Sequence, residues 1–284
     1  MRDWDDHRLI LTLHRLGTLR ATGLELGVTH TTVARRLAAL EAREPTRVFM
    51  RQGRSYRATP YGLERVALAE RMEALDFAAS RLERQAGNPL SGPLSVSIPQ
   101  AVLDHLLLDA VAAFVRDYPD IELSVTGTDR LADLDRGEAD VVIRGHRDPP
   151  SHLVGRRIGS VGLSYYAHRD YLAETPREHW KWLSPSKDAD WIAASPCPDA
   201  PIGYVIHDIQ SRFLALKQGH GLSRAACFMA DPLDELVKLD GADIIPRYDL
   251  WVLTHPDLRS SPKVQALMRT MSETLSERAE QIAG

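Results

Sequence analysis

The chain has 284 residues, 44% apolar and 26% charged, a balance that fits two or three globular domains and excludes a wholly disordered polypeptide. No apolar run reaches the ~20 residues of a membrane span, and the acidic start MRDWDDHRLI does not read as a signal peptide. Two cysteines, Cys197 and Cys227, are too few for a disulfide scaffold, so the expected location is the cytoplasm, away from any membrane.

The net charge of −4 is unevenly spread. Residues 1–60 hold eleven Arg, no Lys and six Asp or Glu, giving +5, whereas the other 224 hold 24 basic and 33 acidic side chains, giving −9. A basic head on an acidic body points to a polyanion at one end.

In that head Leu9, Leu13 and Leu16 have helical spacing, and Gly17 stops the helix. Thr18 can cap a second helix ending at Leu26–Gly27, and Thr29 a third that runs to Glu41. Val33, Leu37 and Leu40 stripe the inner face of this third helix, leaving His30, Thr31, Thr32, Arg35 and Arg36 outward. Helix, glycine turn and helix with outward Arg is a helix-turn-helix pattern. Strand-like Arg47–Arg51, the turn Gln52–Ser55 and the return Tyr56–Thr59 read as an Arg-rich wing. Pro60 then opens a helix to about Gln85, along which Leu68, Met72, Leu75, Ala79, Leu82 and Ala86 repeat every three or four residues. Such a seam, present once per chain, predicts a second copy as its partner.

Gly87–Pro93 is a Gly/Pro/Ser linker. Beyond it, alternation predicts strands at Leu94–Ile98 and Ile121–Val125 and a buried strand at Val141–Ile143. Helices are expected from Leu103 to Phe114 and from Leu131 to Arg136, the latter stopped by Gly137. Strand–helix–strand–helix–strand implies a parallel sheet faced by helices. Further strands are expected at Val161–Ala167 and Trp191–Ala194, a helix at Ile209–Gln218, apolar pieces at Leu222–Met229 and Leu250–Thr254, and a closing helix from Pro262. The stretch 170–210, with five Pro from Thr175 to Pro201, is the hardest to read.

Taken together, these residues resemble the LysR-type transcriptional regulators over nearly the whole chain. Gly27–Glu41 is similar to that family's turn and recognition helix, and Arg47–Arg51 with Gly53–Arg54 and Thr59–Gly62 to its wing and linker helix. Gly92–Pro93–Leu94, Phe114–Pro119, Gly137–Val141 and Leu250–Pro256 resemble landmarks of its effector domain. Thr22–Gly23, Ala34 and Glu44–Pro45 depart from the pattern, which has small Ala residues, Ser and Leu-Gly there.

The resemblance implies an α/β multidomain protein. A winged helix-turn-helix would span 1–59, a dimerisation helix 60–87 and a hinge 88–92. A two-lobed α/β effector domain resembling periplasmic binding proteins would span 93–284. Its first lobe would hold 93–160 and 256–284, its second 161–255, with crossings near Ser160 and His255. The implied function is sequence-specific regulation of transcription in response to a small, anionic metabolite. The implied partners are double-stranded DNA, the effector, and further copies of the chain as a dimer or tetramer.

The expected DNA contacts are Arg35 to a guanine edge, Arg36 beside it, His30, Thr31 and Thr32 at the helix start, and Arg51, Arg54 and Arg57 on phosphate. In open α/β sheets a ligand sits beyond the strand ends. Those ends supply Ser97, Pro99, Gln100, Ala101, Gly127 and Thr128, with Arg144 as counter-charge or exposed structural Arg. Ser195, Gly203 and Tyr204 are the second lobe's candidates.

Catalysis is not expected: the sequence carries no His-Glu-x-x-His, Gly-x-Ser-x-Gly, Walker loop or paired Cys clusters, and no metal or cofactor is called for. Cys227, beside Phe228 and Met229, reads as a core thiol rather than half of a redox switch with Cys197. The competing reading is a solute-binding or catalytic α/β protein whose basic head is incidental.

Overall fold

The computed structural model describes residues 4–85, 89–130 and 132–284, with side chains of the first stretch up to Leu82. It divides into two compact units, Met1–Glu83 and Arg84–Gly284.

The first unit opens with α1 (Trp4–Leu16), which buries Leu9, Ile10 and Leu13 and carries Asp5 and Asp6 in its first turn, where the helix dipole favours acids. Gly17, at φ 68°, ends it. Thr18 caps α2 (Leu19–Glu25) by accepting from Ala21 N, and Thr29 caps α3 (His30–Glu41) by accepting from Thr32 N, 3.2 Å away. A Cβ on Gly23 would lie 2.7 Å from the Val28 carbonyl oxygen, so this departure inside a helix is what lets α2 approach the turn. Strands β1 (Phe49–Gln52) and β2 (Ser55–Ala58) form the wing, with Gly53 at φ 61° in its turn.

Thr59 then starts α4 (Pro60–Gln85): its hydroxyl accepts from Gly62 N and donates to Arg47 O. A Cβ at Gly62 would fall 2.0 Å from the Val48 carbonyl oxygen. The Glu44 departure forms a buried ion pair with Arg65 at 3.2 Å and accepts from the Tyr61 hydroxyl, tying the segment before the wing to α4. Val66 and Ala69 of α4 join the core of the unit, but Leu68, Leu75 and Leu82 are 39%, 71% and 66% exposed. The seam residue Ala86, and Gly87 and Asn88 of the linker, lie outside the described residues.

The second unit begins with β3 (Gly92–Ile98), then α5 (Gln100–Val102), a π turn at Leu103–Leu107 and α6 (Leu108–Asp117). β4 (Ile121–Gly127) and β5 (Val141–His146) lie parallel to β3 on its two sides. The expected parallel order holds for these three strands only. Next to β5 runs β11 (Ile245–Thr254), antiparallel, and beyond it β6 (Val154–His168), antiparallel again. The sheet is mixed because the chain returns through two long strands instead of through helical crossovers.

β6 also pairs with β9 (Ser223–Ala226) and β10 (Leu236–Lys238), and α7 (Arg169–Glu174) follows its end. β7 (Trp182–Ser184) and β8 (Ile202–Val205) form a separate parallel pair. α8 (Ile209–Lys217) and α9 (Cys227–Ala230) flank β9, and α10 (Pro262–Glu277) and α11 (Ala279–Ala283) close the unit.

Two expected elements are absent. Ala132–Arg136 is not helical, because the Asp133 carboxylate accepts from Asp135 N and Arg136 N and holds a turn; Leu131 lies outside the described residues. Asp190–Ile192 is a 3-10 turn, not a strand, and Trp191 is covered by Tyr165 and Trp182 rather than by a ladder.

Candidate nucleic-acid interface and ligand cleft

In the first unit, α3 turns Val33, Leu37 and Leu40 inward, which fixes its other face outward. Arg35, Arg36, His30 and Thr31 are exposed and Thr32 half-buried. The Thr29 hydroxyl lies 2.8 Å from that of Thr31 and 2.9 Å from that of Thr32, so three hydroxyls cluster at the helix start. On the wing, Tyr56 and Ala58 pack inward and Arg57 alternates outward. Arg51 donates from Nε to Gly53 O, bracing the turn that carries Arg54.

The Tyr56 amide donates to Gly17 O, drawing the wing toward the start of α2. A concavity of about 420 Å³ there is lined by Arg20, His30, Arg51 and Arg54, with Thr18 and Tyr56. Nothing in the sequence singles out Arg20: one Arg in a short helix gives no pattern until the wing folds beside it. A groove with this many cations and no carboxylate on its walls suits phosphate.

In the second unit a cavity of about 250 Å³ lies beyond the ends of β3 and β4. Its near wall is Pro99, Ala101, Val102 and Asp129. Its far wall is α8, β9 and α9, through Arg212, Phe213, Arg224, Ala226 and Phe228, and its rim is Arg247 and Tyr248 of β11. A bulge presents that rim. Pro246 pairs with Gly162 and Asp249 with Ser160, so two residues, Arg247 and Tyr248, stand opposite Val161 alone. Bulges re-aim side chains, and a proline is tolerated beside one. His255 lies just beyond the end of β11.

The sequence-predicted ligand residues divide. Pro99 and Ala101 line the cavity. Gln100 packs against Gly127, where a Cβ would meet its Oε1 at 2.2 Å, and donates to Asp104 Oδ1. The other oxygen of Asp104 accepts from Gln210 Nε2 at 2.8 Å, joining α5 to α8 beside the opening. Thr128 accepts from Arg130 N through its hydroxyl.

Arg144 is neither the cleft's counter-charge nor exposed. It is buried, donates to Ser97 Oγ at 2.6 Å and to the carbonyls of Ile143 and Arg130, and its burial pushes the guanidinium pKa down. Ser195 is buried and donates to Ile192 O, and Gly203 and Tyr204 stand exposed on β8; none of the three lines the cavity. The prolines of that stretch gave no register from which β8 could be placed. Both cysteines are buried free thiols whose pKa values burial raises, which disfavours the reactive thiolate.

Comparison with known proteins matches both units. The family described as "Bacterial regulatory helix-turn-helix protein, lysR family" matches residues 4–63, and "LysR substrate binding domain" matches 87–276. The Mau operon transcriptional activator of Paracoccus denitrificans is 25% identical over 97% of each chain. Among solved structures, CrgA of Neisseria meningitidis, a LysR-type transcriptional regulator, superposes with a TM-score of 0.56 at 18% identity, over 97% of this chain and 99% of that one. AphB, a Vibrio cholerae virulence activator, gives 0.56 at 20% identity over 95% and 98%. At these identities the superpositions establish the fold.

Proposed function

The chain belongs to the LysR family of transcriptional regulators, and from that premise we propose which of its residues read DNA, join two copies and hold an effector. A regulator of this family binds DNA through its helix-turn-helix unit and carries an effector-binding domain; it is not an enzyme. Its place of action, on this reading, is the cytoplasm.

Arg35 reads a base edge from the exposed face of α3, with Arg36, His30, Thr31 and Thr32 beside it. Arg51, Arg54, Arg57 and Arg20 clamp phosphate from the wing and the start of α2. Leu68, Met72, Leu75, Ala79 and Leu82 pair α4 with the same helix of a second copy. A small ligand enters the cavity between the lobes of the second unit and biases a pre-existing equilibrium between arrangements that differ in affinity for DNA.

The observation that carries the DNA assignment is the groove of Arg20, His30, Arg51 and Arg54 beside a recognition helix whose apolar stripe is wholly buried. The test is fluorescence anisotropy with a duplex from the chain's own upstream region and a random duplex. Arg35→Ala should lose about 1–3 kcal/mol on the specific duplex and little on the random one, as expected for a bidentate base contact. Equal loss on both duplexes would remove Arg35 from base reading.

A further inference from the structure

The walls of the second unit's cavity carry three cations and one anion: Arg212, Arg224 and Arg247 against Asp129. The three arginines come from α8, β9 and β11, so only the tertiary fold brings them together. Asp129 does not balance them, since its field also falls on the buried Arg144. Arg212 spends Nη1 on the carbonyl oxygens of Ile206 and His207, at 2.7 and 3.3 Å, which fixes its side chain. The guanidinium carbon of Arg224 lies over the Trp191 ring, 4.8 Å from its centroid, and Trp191 is itself wedged against Tyr165 and Trp182. Among the described residues the guanidiniums of Arg224 and Arg247 make no hydrogen bond or ion pair. Burial, then Arg247 and Arg212, push the Arg224 guanidinium below its ordinary pKa.

Crowded, partly buried like charges cost stability unless a counter-charge joins them. Among the lining side chains positive charge is in excess, offset only in part by Asp129 and by Asp208 beside Arg212, in a space of about 250 Å³ whose apolar wall includes Val102, Leu163, Phe213, Phe228 and Met229. We propose that this cavity takes a small dianion on a short apolar body, a dicarboxylate or a phosphate monoester, with Arg224 as the residue that sets this specificity. The planar fork of Arg224, already oriented by Trp191, fits a carboxylate or phosphate edge in two-point contact. The proposal rests on the cavity being the effector site.

The test is thermal denaturation and calorimetry of the full chain, at matched ionic strength, with four dianions: succinate, glutarate, phthalate and phenyl phosphate. Butyrate and benzoate serve as matched monoanions. At least one dianion should raise the melting temperature well above its monoanion. Preference for phenyl phosphate or for the dicarboxylates then identifies the source of the charge. Arg224→Gln should weaken that dianion by about tenfold to a hundredfold, the usual cost of losing a charge-assisted contact.

The same substitution should raise the melting temperature of the ligand-free protein, because it removes one of three crowded charges; an arginine with a merely structural role would lower it. Arg224→Lys, which keeps the charge and loses the fork, should weaken the dianion without that gain in stability. No stabilisation by any of the four dianions, monoanions binding equally well, or dianion affinity indifferent to Arg224→Gln would each overturn the proposal. Ile209→Trp, which fills the cavity from α8, separates this failure from failure of the effector site itself. A monoanion lost in Ile209→Trp keeps the site and sinks the dianion; a dianion that binds Ile209→Trp unchanged sinks both.

Discussion

His105 shows how one side chain carries a consequence of its surroundings. It sits in the π turn between α5 and α6, its ring edge-on to Phe213 at 5.4 Å and angled to Phe228 at 6.3 Å. The turn leaves its carbonyl free to accept from Arg278 Nη1. Burial against these rings pushes the imidazole pKa down; the nearby Asp104 opposes the shift and Lys217 adds to it. The unfolded chain therefore takes up a proton at His105 below the ordinary value of about 6.5, whereas the folded chain resists until a lower pH. The stability contributed by the neutral ring is complete above about 6.5 and is lost as the pH falls toward the folded value. His105→Gln, which cannot titrate, should lose less melting temperature than the parent on going from neutral to mildly acidic buffer. Parallel losses in the two proteins would assign the acid sensitivity to other groups.

Among the elements, α4 makes the sharpest demand. It buries Val66 and Ala69 near its start and then exposes Leu75 and Leu82 along the face that the three-and-four spacing marked. A large apolar side chain that is 71% exposed at a seam position asks for cover from a second copy. Leu75→Asp should place an unpaired charge in that interface, so sedimentation should show a species of half the mass and binding to a two-half-site operator should collapse. An unchanged oligomer would mean that the outer face of α4 is not the interface. The helix α4 and its apolar repeat were legible in the sequence because that signal is periodic, as were the two threonine caps and the hairpin, whose signals are local. The bulge at Arg247–Tyr248 was not, since it exists only in the register between β11 and β6. Arg224 was hidden for a related reason: within the short apolar run Leu222–Met229 it looks like an interruption, and its meaning comes from Trp191, Arg212 and Arg247 on other elements. Arg144 misled in the opposite direction, because a strand-end arginine looks available until Ser97 and two carbonyls are found to hold it.

At the scale of the whole molecule the formal charge is −4, yet the partner is a polyanion. Attraction therefore depends on where the charge lies: +5 in residues 1–60, with Arg51, Arg54 and Arg57 on the wing and Arg20 beside it, while the remaining residues carry −9. Charges farther from the DNA than about one Debye length, roughly 10 Å in 0.1 M salt, are largely screened, so the charges on a DNA-contacting surface decide the attraction. Affinity should accordingly fall steeply with salt through the ions that each phosphate contact releases. The logarithm of the binding constant should change by about 0.9 for each contact per unit of log salt concentration. Arg54 sits at the tip of a turn held by Arg51, exposed and facing the concavity, so Arg54→Ala should remove one such contact per copy. In a dimer the salt slope should become shallower by about 1.8 on the operator and on a random duplex alike, because a phosphate carries no sequence. Arg35→Ala should leave the slope on random DNA nearly unchanged and lower the intercept on the operator alone. An operator slope that stays the same in Arg54→Ala would take the wing tip off the phosphate backbone and leave the groove around Arg20 and His30 to supply the electrostatic grip.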